Sequence, residues 1–393
     1  MDPHYDVIVV GGRCAGAATA MLLARGGLRV LVVEAARPGT DTLSTHALMR
    51  AGVLLLDRWG LLGAVIDAGT PAIVRTDFVY GDEVETVEIS PTAGVSALRA
   101  PRRTLLDPLL LDAARAAGAE IRTPARVTRL LFDARGVRGV EGVERGSRVP
   151  FRATAALTVG ADGRTSTVAQ AVDAPFERRG VASGAVVYGY FPGLPRDRYR
   201  WVYRPGVTAG VMPTGDDLAC VWAGTTSTRF AGLRTAGLDS AHRTLIAEAD
   251  HDLASTVGAA PVSALRGFPG HPGWIRRSAG PGWALVGDAG YYKDPITAHG
   301  MTDALRDAQL LARAVINAPS GRQSWLAAVR DYQRIRDRLS EPLFDVTERI
   351  AGYHWDLVAV REQLRELSQA MRPEIDTLLE LDAGQPARLA TQS

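Results

Sequence analysis

Tyr5-Asp6-Val7-Ile8-Val9-Val10-Gly11-Gly12-Arg13-Cys14-Ala15-Gly16 decides how the rest of the chain is read. The branched apolar run before Gly11 has no polar alternation, which predicts a strand buried on both faces of a parallel sheet. Residues Ala15 to Arg25 are small and helix-prone, and Gly26-Gly27 ends them. A second strand follows from Arg29 to Val33 and ends at Glu34. In such a β-α-β start the first glycine permits the tight turn and Gly16 permits helix to pack closely on strand. The helix N-terminus then offers free N–H groups to a dinucleotide diphosphate. Glu34 stands where a carboxylate accepts hydrogen bonds from ribose hydroxyls. Arg13 replaces the usual middle glycine, and it either crowds the diphosphate or turns outward and pairs with it.

Outward from this unit, the pattern predicts a helix over Ala47–Leu62, strands over Phe78–Ile89, and an amphipathic helix over Arg103–Ala117. Strand-like residues run from Glu120 to Phe132, a hairpin from Arg138 to Arg152, and a buried strand from Ala155 to Gly160. Residues 182–264 alternate like β-structure with one helix near Ser240–Leu253, and Trp283–Val286 is again a strand. A long helix begins near Gly300, and the chain reads as helical from Trp325 onward. The expected fold class is α/β: a Rossmann-like nucleotide domain with an inserted β-sheet substrate domain and a C-terminal helical segment. The expected boundaries are 1–70, 100–175 and 265–324 for the first, 71–99 and 176–264 for the second, and 325–393 for the third.

Composition narrows the function classes. Apolar residues make up 46% and charged residues 22% of 393 residues, with a net charge of +2 and no basic stripe. Nucleic acid is therefore not expected as a partner. Cys14 and Cys220 are the two cysteines, so neither a disulfide framework nor a metal cluster is expected. No signal peptide or membrane span is read, and the expected location is cytoplasmic. Lys and Arg together number 45, and one of them, Lys293, is lysine.

Two later turns give the first one its meaning. Val159-Gly160-Ala161-Asp162-Gly163-Arg164-Thr165-Ser166 and Leu285-Val286-Gly287-Asp288-Ala289-Gly290 resemble the DG and GD motifs of single-component FAD-dependent monooxygenases, the aromatic-hydroxylase type. Pro295, Gly300 and the helix Thr302–Ala308 continue that pattern. Arg103, backed by Leu106, Leu110 and Ala114, resembles the family's arginine-led helix, and Tyr332 with Arg336 resembles its late YxxxR element. The resemblance spans residues 6 to about 336. It implies FAD, held by Gly11, Gly12, Arg13, Ala15, Gly16, Glu34, Ala35, Arg103, Val127, Asp162, Gly163, Gly287, Asp288, Pro295, Ala298, His299, Gly300 and Met301. Asp288 would reach the ribityl chain or a ribose, and the helix at Gly300 would aim its positive end at the flavin pyrimidine edge.

Flavin-dependent halogenases and geranylgeranyl-reductase-type flavoproteins are related to this family, and Asp294-Pro295 resembles them as well. The aromatic-rich block of those relatives is replaced here by Thr208-Ala209-Gly210-Val211-Met212-Pro213, and Pro71–Glu85 lacks lysine. Both features argue against halogenation. Tyr199-Arg200-Trp201-Val202-Tyr203 reads as a strand with an aromatic face rather than a substrate-stacking element.

Candidates for catalysis are Lys293, His46 and His299. Lys293 either hydrogen-bonds the flavin, an anionic substrate or a peroxyflavin, or is a solvated loop charge. His46, in Thr42–His46, is an acid/base group or flavin contact, or a neighbour of a helix cap. His299 is expected beside the flavin edge. The resemblance implies NAD(P)H as reductant and O2 as co-substrate, with hydroxylation or epoxidation of an aromatic or polyketide-like molecule in bacterial secondary metabolism. The alternatives are a reductase or dehydrogenase, a halogenase, or a FAD-bearing non-redox cyclase. Expected partners are the small-molecule substrate and either a second copy of the chain or a separate flavin reductase. The stripe Leu357, Val360, Leu364 and Leu367 suits a pocket cap or a dimer face equally.

Overall fold

The computed structural model describes residues 2–257 and 261–383. A parallel sheet runs in the order Trp283–Leu285, Pro150–Gly160, His4–Val10, Val30–Val33, Glu120–Arg122. Val7 and Val10 pair with Val30 and Val33 on one side and with Leu157 and Gly160 on the other. Val7, Ile8 and Val9 are wholly buried, which is why their run shows no alternation. Helix Cys14–Arg25 packs against helices Gly300–Asn317 and Arg103–Ala116. Its Ala17, Ala18 and Ala20 keep that contact close. Ile8, Val10, Leu31 and Val33 cover the other face of the sheet with Val127, Leu130 and Val140. The fold is Rossmann-like α/β, as the alternation of elements predicts.

Two local readings are revised. The hairpin expected at 138–152 and the strand expected at 155–160 share one long strand, Pro150–Gly160. Its first residues pair antiparallel with Gly139–Val143, and its later ones pair parallel with His4–Val10. The helix expected over 47–62 forms over Arg50–Arg58. Leu48 is committed to a backbone bridge instead, its N–H donating to the Arg99 carbonyl at 2.8 Å.

A second, seven-stranded sheet runs Arg266–Phe268, Gly184–Pro192, Leu218–Thr226, Val207–Pro213, Arg198–Arg204, Arg75–Tyr80, Glu83–Glu88. One face carries Tyr188, Tyr190, Tyr199, Trp201, Tyr203 and Trp222. Helices Arg322–Ala351 and Leu357–Ala383 and their connection cover it with Leu343, Ile350, Trp355, Val360 and Leu367. The Tyr199-Trp201-Tyr203 row is therefore core, and the Val360–Leu367 stripe is used within the chain. The other face buries Ala185, Val187, Val202 and Val221 against helix Leu238–Ala249. No helix among the described residues is long and apolar enough to cross a membrane.

Candidate active site

A cavity of about 700 Å³ is lined both by the carboxyl ends of the parallel strands and by the second sheet. The N-terminal turn forms one wall. Gly11 has φ 101°, and a β-carbon there would lie 2.4 Å from the Ala161 carbonyl oxygen. A β-carbon on Gly16 would lie 1.9 Å from the Gly11 oxygen. These two glycines let strand, turn and helix close on one another. Gly11, Arg13 and Ala15 line the cavity, whereas Gly12 and Gly16 stand behind the wall. Arg13 has extended backbone, φ −89° and ψ −166°, a conformation that any residue adopts. No side chain caps the helix that starts at Cys14, which leaves its first N–H groups free for an anion.

Glu34 anchors the next part. Its two carboxylate oxygens accept from the Gly12 and Ala36 N–H groups, each at 2.6 Å. Each oxygen keeps a lone pair for a ribose hydroxyl. Ala35, Val127 and Arg145 line the wall beyond it. Arg103 also lines the cavity; its Nε donates to Asp107 Oδ1 at 2.8 Å, and the Cys14 thiol donates to the same oxygen at 3.1 Å. Burial pushes that thiol up, so Cys14 acts as an anchor and not as a nucleophile.

The Asp162-Gly163 and Gly287-Asp288 turns meet at the same cavity. Asp162 accepts from the Ser166 hydroxyl and from the Thr167 N–H at 2.6 Å, while burial raises its carboxyl. Burial pushes the Asp288 carboxyl up to about 6, with Arg164, Arg103 and Lys293 opposing that rise. Pro295, Ala298, Gly300 and Met301 line the cavity at the start of helix Gly300–Asn317, which has no side-chain cap. Its positive end is therefore open to a ligand. Asp294 secures the preceding turn by accepting from Ile296 N–H at 2.9 Å and Gly184 N–H at 2.6 Å. Burial pushes its carboxyl up to about 7.

Behind this wall lies a buried ionic network. Lys293 lines the cavity yet is 5% exposed, and its Nζ is paired with Asp303. It is not a solvated loop charge. His299, expected beside the flavin edge, does not line the cavity; it faces Asp303 at 3.1 Å and Glu374 at 3.3 Å. Arg306 contacts Asp303, Asp307 and Glu374. Three carboxylates thus face Lys293, Arg306 and His299, and the imidazolium completes the balance. Burial alone would lower His299, but Glu374 and Asp303 raise it above the usual imidazole range. A raised folded value gives stabilisation that is complete below the unfolded value of about 6.5 and is lost as pH rises through the folded value. His299→Gln should therefore lower the melting temperature most at acidic pH, with the gap to wild type closing at alkaline pH. A constant gap across a pH series would contradict this.

The residues present fit FAD. An uncapped helix start with Arg13 suits the diphosphate, Glu34 the ribose, Asp288 a ribityl hydroxyl, and the Gly300 helix end the electron-rich flavin edge. The family described as FAD binding domain matches residues 4–345. The chain belongs to that family. It is an FAD-dependent oxidoreductase. The flavoprotein is 26% identical over 362 residues to a digeranylgeranylglycerophospholipid reductase of Methanocella arvoryzae, covering 87% of this chain and 86% of that protein. It is 29% identical over 316 residues to the 6-methylpretetramide 4-monooxygenase of Streptomyces rimosus, covering 78% of this chain and 73% of that one. The flavin-dependent brominase Bmp2 shares its fold, with a TM-score of 0.78 at 17% identity, covering 97% of this chain and 100% of that structure.

Sequence reasoning missed several residues at this site. Val186 and Tyr188 on strand Gly184–Pro192, and Phe268 on the neighbouring strand, line the cavity. Tyr190, two residues on, holds His46 through its ring Nε2 at 2.5 Å. The spacing of Val186, Tyr188 and Tyr190 by two was the available signal, since alternate strand residues share a face. His46 itself lines the cavity and does not neighbour the cap of helix Arg50–Arg58, which is Met49.

Proposed function

We propose that this flavoprotein uses NAD(P)H and O2 to hydroxylate or epoxidise an aromatic or polyketide-like small molecule. The observation that carries this reading is the continuation of the cavity past the flavin motifs onto Val186, Tyr188 and Phe268, together with Ser44, His46 and Met301. An apolar and aromatic lining with a few polar groups suits a flat, largely apolar substrate. The likeness to the 6-methylpretetramide 4-monooxygenase supports the oxygen-inserting reading.

When bound, FAD supplies the redox chemistry, accepting hydride and delivering electrons to oxygen. The chain's own residues hold and insulate it. The uncapped end of helix Gly300–Asn317 favours negative charge at the edge it faces. The buried walls exclude water, which strengthens every charge interaction inside them. Lys293 is held at the cavity wall by Asp303, its charge paired within the network.

A second reading, reduction of a carbon–carbon double bond without oxygen insertion, is favoured by the reductase likeness that covers 87% of the chain. One assay separates the two. The purified holoprotein is reduced anaerobically with NADPH, then mixed with heavy-isotope oxygen and a panel of phenols, polycyclic polyketides and prenyl lipids. The expected product carries one heavy oxygen atom. A product that gains hydrogen and no oxygen overturns the proposal in favour of the reductase.

A further inference from the structure

His46, on the cavity wall, is paired with Tyr190 of the second sheet. His46 is 1% exposed and holds φ 69°, a left-handed conformation that a side-chain-bearing residue adopts at a cost. Its Nε2 lies 2.5 Å from the Tyr190 hydroxyl, and its Nδ1 has no partner among the described residues. Tyr190 is 2% exposed, and the Arg102 guanidinium sits 4.3 Å over its ring. A buried ring nitrogen without a partner is unfavourable, and so is a strained histidine. Both occur in one residue on the cavity wall, beside Ser44 and Tyr188. That combination points to a group that arrives from the cavity.

The charged groups facing this imidazole are Arg103, Arg102 and Arg266. Arg103 is bound to Asp107, and Asp41 lies 3.7 Å from Arg102 and 3.1 Å from Arg266. Burial, reinforced by the three guanidinium groups, pushes His46 down to about 3, so the ring is neutral under ordinary conditions. Burial raises the Tyr190 hydroxyl, which keeps its proton. One proton therefore lies between Nε2 and the phenol oxygen. If Tyr190 donates it, Nδ1 carries the remaining N–H. If Nε2 donates it, Nδ1 carries a lone pair. The positive surroundings favour a negatively charged acceptor at Nδ1, which selects the first arrangement.

We propose that Tyr190 fixes His46 as the Nδ1–H tautomer and that this N–H donates to an anionic oxygen of the substrate, a phenolate or enolate. This deepens the oxygen-insertion reading and rests on it, because an ionised phenol is the form whose ring carbon is most electron-rich. No proton is transferred: the substrate binds already ionised, and the dyad distinguishes the anion from a neutral alcohol. His46 is thus assigned to specificity, and Tyr190 is a positioning residue acting through it.

The test is nitrogen NMR of the FAD-loaded enzyme carrying labelled histidine. The expected His46 signals show a protonated Nδ1, an unprotonated Nε2 and no titration between about pH 5 and 8. Pentafluorophenol, an anion at neutral pH, should shift the Nδ1 proton, and benzyl alcohol should not. Tyr190→Phe, with flavin content unchanged, should mix the two tautomers and weaken pentafluorophenol binding about tenfold. A protonated Nε2, a His46 that titrates in that range, or no response to pentafluorophenol would overturn the assignment. These outcomes do not depend on turnover. An intact dyad in an enzyme that inserts no oxygen would sink the monooxygenase reading alone.

Discussion

Gly11→Ala is expected to yield a protein that purifies without bound flavin. The new β-carbon would stand 2.4 Å from the Ala161 carbonyl oxygen and 2.7 Å from its carbon. Both are backbone atoms at the end of a central strand, and neither can swing away as a side-chain tip could. The turn cannot retreat either, because Gly11 N–H donates to Val33 at 2.9 Å and Ala161 N–H donates to Val10 at 2.7 Å. The φ of 101° adds strain for any residue with a β-carbon. Together these effects amount to about 3 kcal/mol or more. Relief by opening the turn would shift Gly12 N–H away from Glu34 and pull the helix start off the cavity wall. At about 1.4 kcal/mol per decade, FAD affinity should fall at least ~100-fold. The check is the flavin-to-protein ratio after gel filtration, followed by titration with FAD. Retention of flavin at the wild-type ratio would show that the turn does not set the affinity.

Arg306→Met should be the most damaging substitution away from the cavity surface. Arg306 is wholly buried, and its guanidinium reaches Asp303 at 2.9 Å, Asp307 at 2.9 Å, Glu374 at 3.3 Å and the Ser340 hydroxyl at 2.9 Å. Removing it leaves Lys293 and His299 against three buried carboxylates. Stranding a buried charge in this way costs about 3–5 kcal/mol. The melting temperature of the holoprotein should drop by roughly 4–6 °C. Flavin binding should weaken too, because Asp307 also accepts the Gly287 N–H at 3.1 Å and so holds the turn that presents Asp288. Adding Glu374→Gln to the same protein removes one stranded negative charge and should recover part of the loss. Equal melting curves for the single and double variants would show that the network does not act as one balanced unit.

The site divides between what local sequence encodes and what assembly of distant segments creates. Gly11, Gly16, Asp162, Gly163, Gly287 and Asp288 were legible because each serves a backbone turn confined to a few residues. The start of helix Gly300–Asn317 was legible for the same reason. Arg13 left two readings open; its backbone is extended and it lines the cavity. Lys293 also left two readings open, since a loop sequence does not state its own burial. The structure buries it, because Asp303 one turn into the next helix supplies the opposite charge.

The sequence alone determined the expectation of an α/β fold, its central strands and the main helices beside them, and the glycine turns that follow those strands. Hydrophobic periodicity and the φ demands of glycine act over short stretches, so they can be read without partners. Tertiary structure decided that His46 meets Tyr190, 144 residues away, and that Glu374 meets Arg306 across 68 residues. It also turned His299 away from the cavity and made the Tyr199-Trp201-Tyr203 row a core surface. Charge balance and burial act between segments, and their outcome depends on which surfaces the fold brings into contact. No residue pattern within one segment carries that information.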